Sequence, residues 1–129
     1  MQKEDSPFTI DISSLLSSHL ADHEDYSFED EVDNDVFHEI VIQSTLVVKF
    51  QLVRRQYGVE LRIKELQATV DVPEDHIIGQ PVYLHDISRE YHLDEKIEDT
   101  DDIEYIDKNS QSVDIGRVVE QEVLISCLV

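Results

Sequence analysis

Residues 44–72 read STLVVKFQLVRRQYGVELRIKELQATVDV, and this stretch decides the fold. Apolar and polar residues alternate through most of it, the period-two pattern of half-buried strands. Leu46, Val48, Phe50 and Leu52 point one way, with Val47, Lys49, Gln51 and Val53 opposite. The segment from Arg54 to Gly58 makes the reversal, where Gly58 can take a positive φ at little cost. On the return, Val59, Leu61 and Ile63 share a face opposite Glu60, Arg62 and Lys64. The phase then changes, because Leu66, Ala68, Val70 and Val72 are even-numbered. A β-bulge near Lys64 and Glu65 would return all seven apolar side chains to one face; a break into two strands is the alternative.

Working outward, residues 8–12 (FTIDI) alternate and predict a short strand. Ser13 or Ser14 would cap a short helix through Leu15, Leu16 and Leu20. Residues 22–39 are dense in acid but carry Tyr26, Phe28, Val32, Val36 and Phe37, too aromatic for a purely disordered tail. A strand is expected near 26–32, a turn at Asp33, Asn34 and Asp35, and entry into the central sheet from Val36. Residues 73–81 are expected to form a loop, since proline cannot donate to a central ladder. Residues 82–93 predict a strand with Tyr83, His85, Ile87, Arg89, Tyr91 and Leu93 on one face. After a solvated acidic linker at 94–102 and a brief strand at 103–106, Asp114 reads as the N-cap of a final helix. Its apolar stripe is Ile115, Val118, Val119, Val123 and Leu128. The expected fold is a single α+β domain over residues 1–129: an antiparallel β-sheet or partly open barrel with a short N-terminal helix and a C-terminal helix. Segments 22–39 and 94–102 would be exposed or linker regions.

Charge is distributed unevenly. Residues 1–39 carry a net −11, residues 40–70 a net +3 and residues 71–129 a net −12, within a total of −20. Half of the ten Lys and Arg residues (Lys49, Arg54, Arg55, Arg62 and Lys64) therefore sit in a basic hairpin between two acidic wings. That hairpin could contact RNA backbone, with Arg54 and Arg55 at its tip. The simpler alternative is that its bases neutralise the wings and protect the solvent face of the sheet. The acids Glu29, Asp30, Glu31, Asp33, Asp35, Glu98, Asp99, Asp101 and Asp102 could dock a basic protein, since complementary fields speed encounter and select partners. Scattered acids otherwise serve solubility.

Other chemistries find little support in the residues. One cysteine, Cys127, excludes an internal disulfide and a CxxC zinc knuckle, and its place near the apolar stripe suits a small core residue. His19 and His23 are four apart and would share a helix face, a zinc-compatible spacing without a third or fourth ligand beside it. Three glycines form no phosphate-cradling loop, and abundant acids fall in pairs by chance, so no enzyme, cofactor or small-molecule substrate is expected. No window approaches the ~18 apolar residues of a membrane span and the N-terminus lacks signal-peptide regions, so a soluble cytoplasmic protein is expected.

The C-terminal segment DIEYIDKNSQSVDIGRVVEQEVLISCLV joins an acidic approach to an Asp-Ile helix start and a Val-Val-Glu-x-Glu-Val-Leu-Ile helix. With the early Phe8-Thr9-Ile10-Asp11-Ile12-Ser13, the Ala68-Thr69-Val70 strand and Pro81-Val82, it resembles the YceD family of bacterial large ribosomal RNA subunit accumulation proteins. The likeness is one of layout over roughly residues 8–129. It departs from the family at VPEDHIIGQ (residues 72–80), which lacks the family's Cys-x-x-Cys pair. The resemblance implies a non-enzymatic assembly factor supporting accumulation or processing of large-subunit ribosomal RNA. Its partners would be a basic ribosomal protein, the ribosomal RNA precursor, or both. The competing reading is an acidic nucleic-acid mimic or antagonist that occupies a basic nucleic-acid-binding protein.

Overall fold

A computed structural model describes residues 7–33, 35–93, 103–106 and 109–129. In chain order the elements are β1 (Thr9–Asp11), α1 (Ser13–Leu16), β2 (His23–Asp30), β3 (Val41–Ile42), β4 (Leu46–Arg55) and β5 (Gly58–Val72). A 3-10 turn (Pro73–Asp75) leads to β6 (Ile77–Leu84), β7 (Ile87–His92), β8 (Ile103–Tyr105), β9 (Ser112–Asp114) and α2 (Gly116–Leu128).

The alternating stretch forms the long hairpin of β4 and β5, closed by Gln56 and Tyr57 between paired Arg55 and Gly58. Its register slips once: Lys49 faces Glu65 but Phe50 faces Ile63, which leaves Lys64 as the extra residue of a bulge. The expected bulge is therefore present, and one face stays apolar throughout. Leu46, Val48, Phe50 and Leu52 are buried there with Val59, Leu61, Ile63, Leu66, Ala68, Val70 and Val72. Each large aliphatic side chain buried in this way contributes about 1.5–3 kcal/mol.

The main sheet runs β2-β4-β5-β7-β8, with β3 and β6 also paired to β5, and it is not closed into a barrel. All its pairs are antiparallel except β7 with β8. A small second sheet pairs β1 with β9. Against the inner face pack Phe8, Ile12 and Leu15 from the N-terminal segment, Phe37 and Ile40 from the loop before β3, and Val118, Val119 and Val123 of α2, all in one apolar cluster. The α+β class with a short first helix and a C-terminal helix is as the sequence implies.

Several local expectations are corrected. The first helix stops at Leu16, and Leu20 lies beyond it at 61% exposure. Asp11, rather than a serine, closes its start: Oδ1 accepts the Ser13 N–H at 2.8 Å and the Ser13 hydroxyl at 2.7 Å. Those bonds hold the Asp11 carboxyl below its ordinary range, with the backbone bond first. The strand expected at 26–32 begins earlier, at His23, because Ala21 and Asp22 already exchange backbone bonds with Arg54. Residues 37–40 are a packed loop and the sheet is entered only at β3; the loop is tied to α2 by Glu120, whose Oε2 accepts the N–H groups of His38 (2.8 Å) and Glu39 (2.7 Å).

The loop expected at 73–81 is only a turn. His76 adopts a left-handed conformation (φ 57°) and β6 starts at Ile77. Pro81 fits inside this strand for a specific reason. Its partner Thr69 directs its N–H to Ser44 Oγ (2.9 Å) and its C=O to the Gln43 N–H (2.8 Å), both on the far side of β5. Thr69 and Pro81 are thus a non-hydrogen-bonded pair, and the proline nitrogen faces the free edge of β6. The strand expected at 82–93 breaks at His85 and Asp86, where Asp86 takes φ 58° opposite the Lys64 bulge. Tyr83 consequently lies outside at 60% exposure while Tyr91 is buried. In α2, Leu128 leaves the expected stripe, with 52% of it exposed. Asp114 does take the Gly116 N–H (2.9 Å), but from the position before the N-cap, Ile115.

The hairpin turn offers a direct stability test. Gly58 has φ 150°, and a Cβ there would lie far inside contact distance of the Tyr91 carbonyl oxygen and 3.3 Å from the Leu93 nitrogen. Gly58→Ala should lower unfolding stability by about 2–4 kcal/mol through strain and backbone displacement. Urea unfolding followed by circular dichroism checks this; an unchanged midpoint would contradict the packing.

Candidate functional site

The outer face of the main sheet carries the charged side chains, and cross-strand register sets their order. One row reads Asp25, Gln51, Arg62 and Ser88 across β2, β4, β5 and β7. A second reads Glu29, Val47, Gln67 and Tyr83 across β2, β4, β5 and β6. This second row crosses an open depression of about 560 Å³.

The five bases do not converge on one site. Arg54 is half-buried and folded back onto the turn, where Nη1 donates to the carbonyls of Arg55 and of Gly58, the latter at 2.9 Å. Arg55 donates from Nε (3.0 Å) and Nη2 (2.7 Å) to Glu60 Oε1. The Ser88 hydroxyl donates to the other oxygen of Glu60 at 2.9 Å. Lys49 pairs with Glu65 at 3.4 Å. Arg62 and Lys64 are exposed and form no ion pair among the described residues; with Glu60, Asp86 and Ser88 they border a second depression of about 370 Å³.

Of the acids, Glu29 and Asp30 end β2, and Glu31, Asp33 and Asp35 lie in the loop that follows, all exposed. None of the five forms an ion pair with a described residue. Glu98, Asp99, Asp101 and Asp102 fall outside the described residues.

The local electrostatics follow from these contacts. Burial works to raise the Glu60 carboxyl, but the bonds from Arg55 and Ser88 and the charges of Arg55 and Arg62 outweigh it and hold Glu60 below its ordinary value. Burial pushes Tyr57 up to about 12, helped by the charges of Glu90 and Glu60, as its ring stacks on His92 at 4.5 Å. The Cys127 thiol is raised by burial against the core. His19 and His23 do not share a helix face: His19 sits in the turn after α1 and His23 opens β2. No cluster of potential metal ligands occurs among the described residues. Nor is any described helix long and apolar enough to cross a membrane.

Two structural features escape a reading by charge alone. Arg89 is on the inward side of β7 and pairs with Glu122 of α2, both largely covered. A charge at an apolar-face position requires a partner, and that is the signal in the sequence that could have found this pair. The other is Glu120, whose ties to His38 and Glu39 have no local sequence signature. The arrangement as a whole offers surface charge, shallow depressions and sheet edges.

Comparison with known proteins adds no relative: no family model, no curated protein and no solved structure matches the chain. The YceD resemblance rests on the sequence features that suggested it.

The ion pair of Arg55 with Glu60 makes a pH prediction. A carboxyl held below its ordinary value of 4.5 contributes stability that is present above that value and lost as pH falls through the lower folded value. Arg55→Ala should move the Glu60 titration upward and flatten the loss of stability below about pH 4.5. Carbon-detected NMR titration with acid unfolding checks it, and an unmoved Glu60 titration would contradict the assigned cause.

Proposed function

We propose that the protein is a non-enzymatic assembly factor that docks a basic protein on the acidic side of its sheet. One contrast supports this reading. Lys49, Arg54 and Arg55 are engaged within the chain, whereas Glu29, Asp30, Glu31, Asp33 and Asp35 are exposed without a described cation beside them. Exposed acids within a net charge of −20 attract a cationic partner over roughly a Debye length, ~8 Å at physiological salt, and repel nucleic-acid phosphate. The hairpin bases then serve chiefly the sheet, and RNA contact is confined to Arg62 and Lys64.

The YceD resemblance supplies the setting: assembly of the large ribosomal subunit, with a basic ribosomal protein as partner. Affinity capture from lysate at low and high salt, with protein and RNA both identified, tests it. A large-subunit ribosomal protein should be retained at low salt and released at high salt. Joint Glu29→Lys, Asp33→Lys and Asp35→Lys should weaken that association at least about tenfold, or 1.4 kcal/mol. Joint Arg62→Glu and Lys64→Glu should leave it within about twofold, since a site of its own would cost more. Recovery of an unrelated DNA-binding protein, without large-subunit components, would favour the mimic instead and overturn this assignment.

A further inference from the structure

The edges of the main sheet are not equivalent. Strand β8 spans three residues. Strand β6 is interrupted by a register shift and by Gly79 at φ 64°, and Pro81 turns its nitrogen to the free side. Strand β2 is different: eight residues, regular register, no Gly or Pro, and no partner but β4 among the described residues.

Backbone direction along β2 follows from β4. Arg54 donates to the Asp22 carbonyl and accepts from the Ala21 N–H, so its peptide groups face β2, as do those of Leu52, Phe50 and Val48 two, four and six residues earlier. Their partners Glu24, Tyr26 and Phe28 are turned inward to β4. The N–H and C=O groups of His23, Asp25, Ser27 and Glu29 therefore face the free edge, and the same four side chains lie on the outer face. Asp25 keeps one contact there, from Gln51 Nε2 at 2.9 Å. On the inner face Tyr26 stacks on Phe50 and Phe28 meets Phe8, yet both remain half-buried at the edge.

We propose that β2 is extended by a strand from the basic partner, a segment in which cationic and apolar residues alternate. This deepens the docking reading above and rests on it. A residue directly opposite Asp25 or Glu29 exchanges both backbone bonds with it and shares its outer face, so the cations belong at those positions. The residues opposite Tyr26 and Phe28 point inward and cover their open flanks. Strand addition draws affinity from main-chain bonds and specificity from alternate side chains. The acids also discourage edge pairing with a second copy of this chain, which would set like charges side by side.

The test uses two eight-residue peptides of identical composition, one alternating Lys and Val, the other with its lysines in one block. A third is the alternating peptide N-methylated at its lysine amides. The alternating peptide should bind at least tenfold more tightly than the blocked one and slow amide exchange at Asp25, Ser27 and Glu29. N-methylation should erase that margin. So should Ser27→Pro, which removes an edge-facing N–H and no bond to β4, and the N-methylated peptide gives the same answer with the unaltered protein. Equal binding of the alternating and blocked peptides, unchanged by N-methylation, overturns strand addition and leaves acidic docking standing. Absence of binding by either peptide at low salt overturns both.

Discussion

Everything else hangs on the register of β5. Its fifteen residues pair with β4 and β3 on one side and with β7 and β6 on the other. A strand alternates its faces strictly, so an uninterrupted β5 would send Leu66, Ala68, Val70 and Val72 to the solvent once Val59, Leu61 and Ile63 were buried. The extra residue at Lys64 absorbs that slip toward β4, and the break at His85 and Asp86 absorbs it on the opposite side, so both irregularities lie at one level of the sheet. The inner face stays apolar along the whole strand, and only such a face can receive Val118, Val119 and Val123 together with Phe8 and Phe37.

The same register sorts the charge. Lys49 meets Glu65 and Arg55 meets Glu60 because cross-strand geometry brings them together. Lys49 with Glu65 lies largely in water, where such a pair is worth about 0–1 kcal/mol and blunts self-repulsion more than it holds the fold, whereas Arg55 with Glu60 is partly covered. Arg89 with Glu122 is a different case, since both groups are largely covered and each would be costly to leave alone. Among the described residues, the acids at the end of β2 and in the loop beyond it have no cation paired with them. Those acids are why docking of a basic protein is favoured over RNA recognition by the hairpin.

The features legible in the sequence are those set by local periodicity. The hairpin, the bulge and the final helix follow from apolar spacing, and the α+β class follows from them. Features set by long-range partners were not legible. Pro81 looks like a loop residue until Thr69 is seen to turn its peptide groups away from it. The split between β6 and β7 answers a bulge on another strand, and the position of Glu120 depends on a loop some eighty residues earlier. For the candidate site, the acids Glu29, Asp30, Glu31, Asp33 and Asp35 are exposed, but the segment 22–39, expected as exposed or linker, contributes His23–Asp30 as a strand of the main sheet. Composition grouped Arg54 with the free bases, although that guanidinium is folded onto backbone carbonyls. Which backbone groups lie at a free edge depends on pairing, so the exposed side of β2 could not be read from residue types.

The central claim is that the acidic flank of the sheet, not its basic hairpin, meets the partner. Hydrogen-exchange footprinting of the protein bound to the basic protein it captures from lysate measures this directly. The expected result is protection concentrated in residues 23–35, with the amides around Lys49, Arg62 and Lys64 unchanged. Protection confined to the hairpin, with residues 23–35 exchanging as in the free protein, would contradict it.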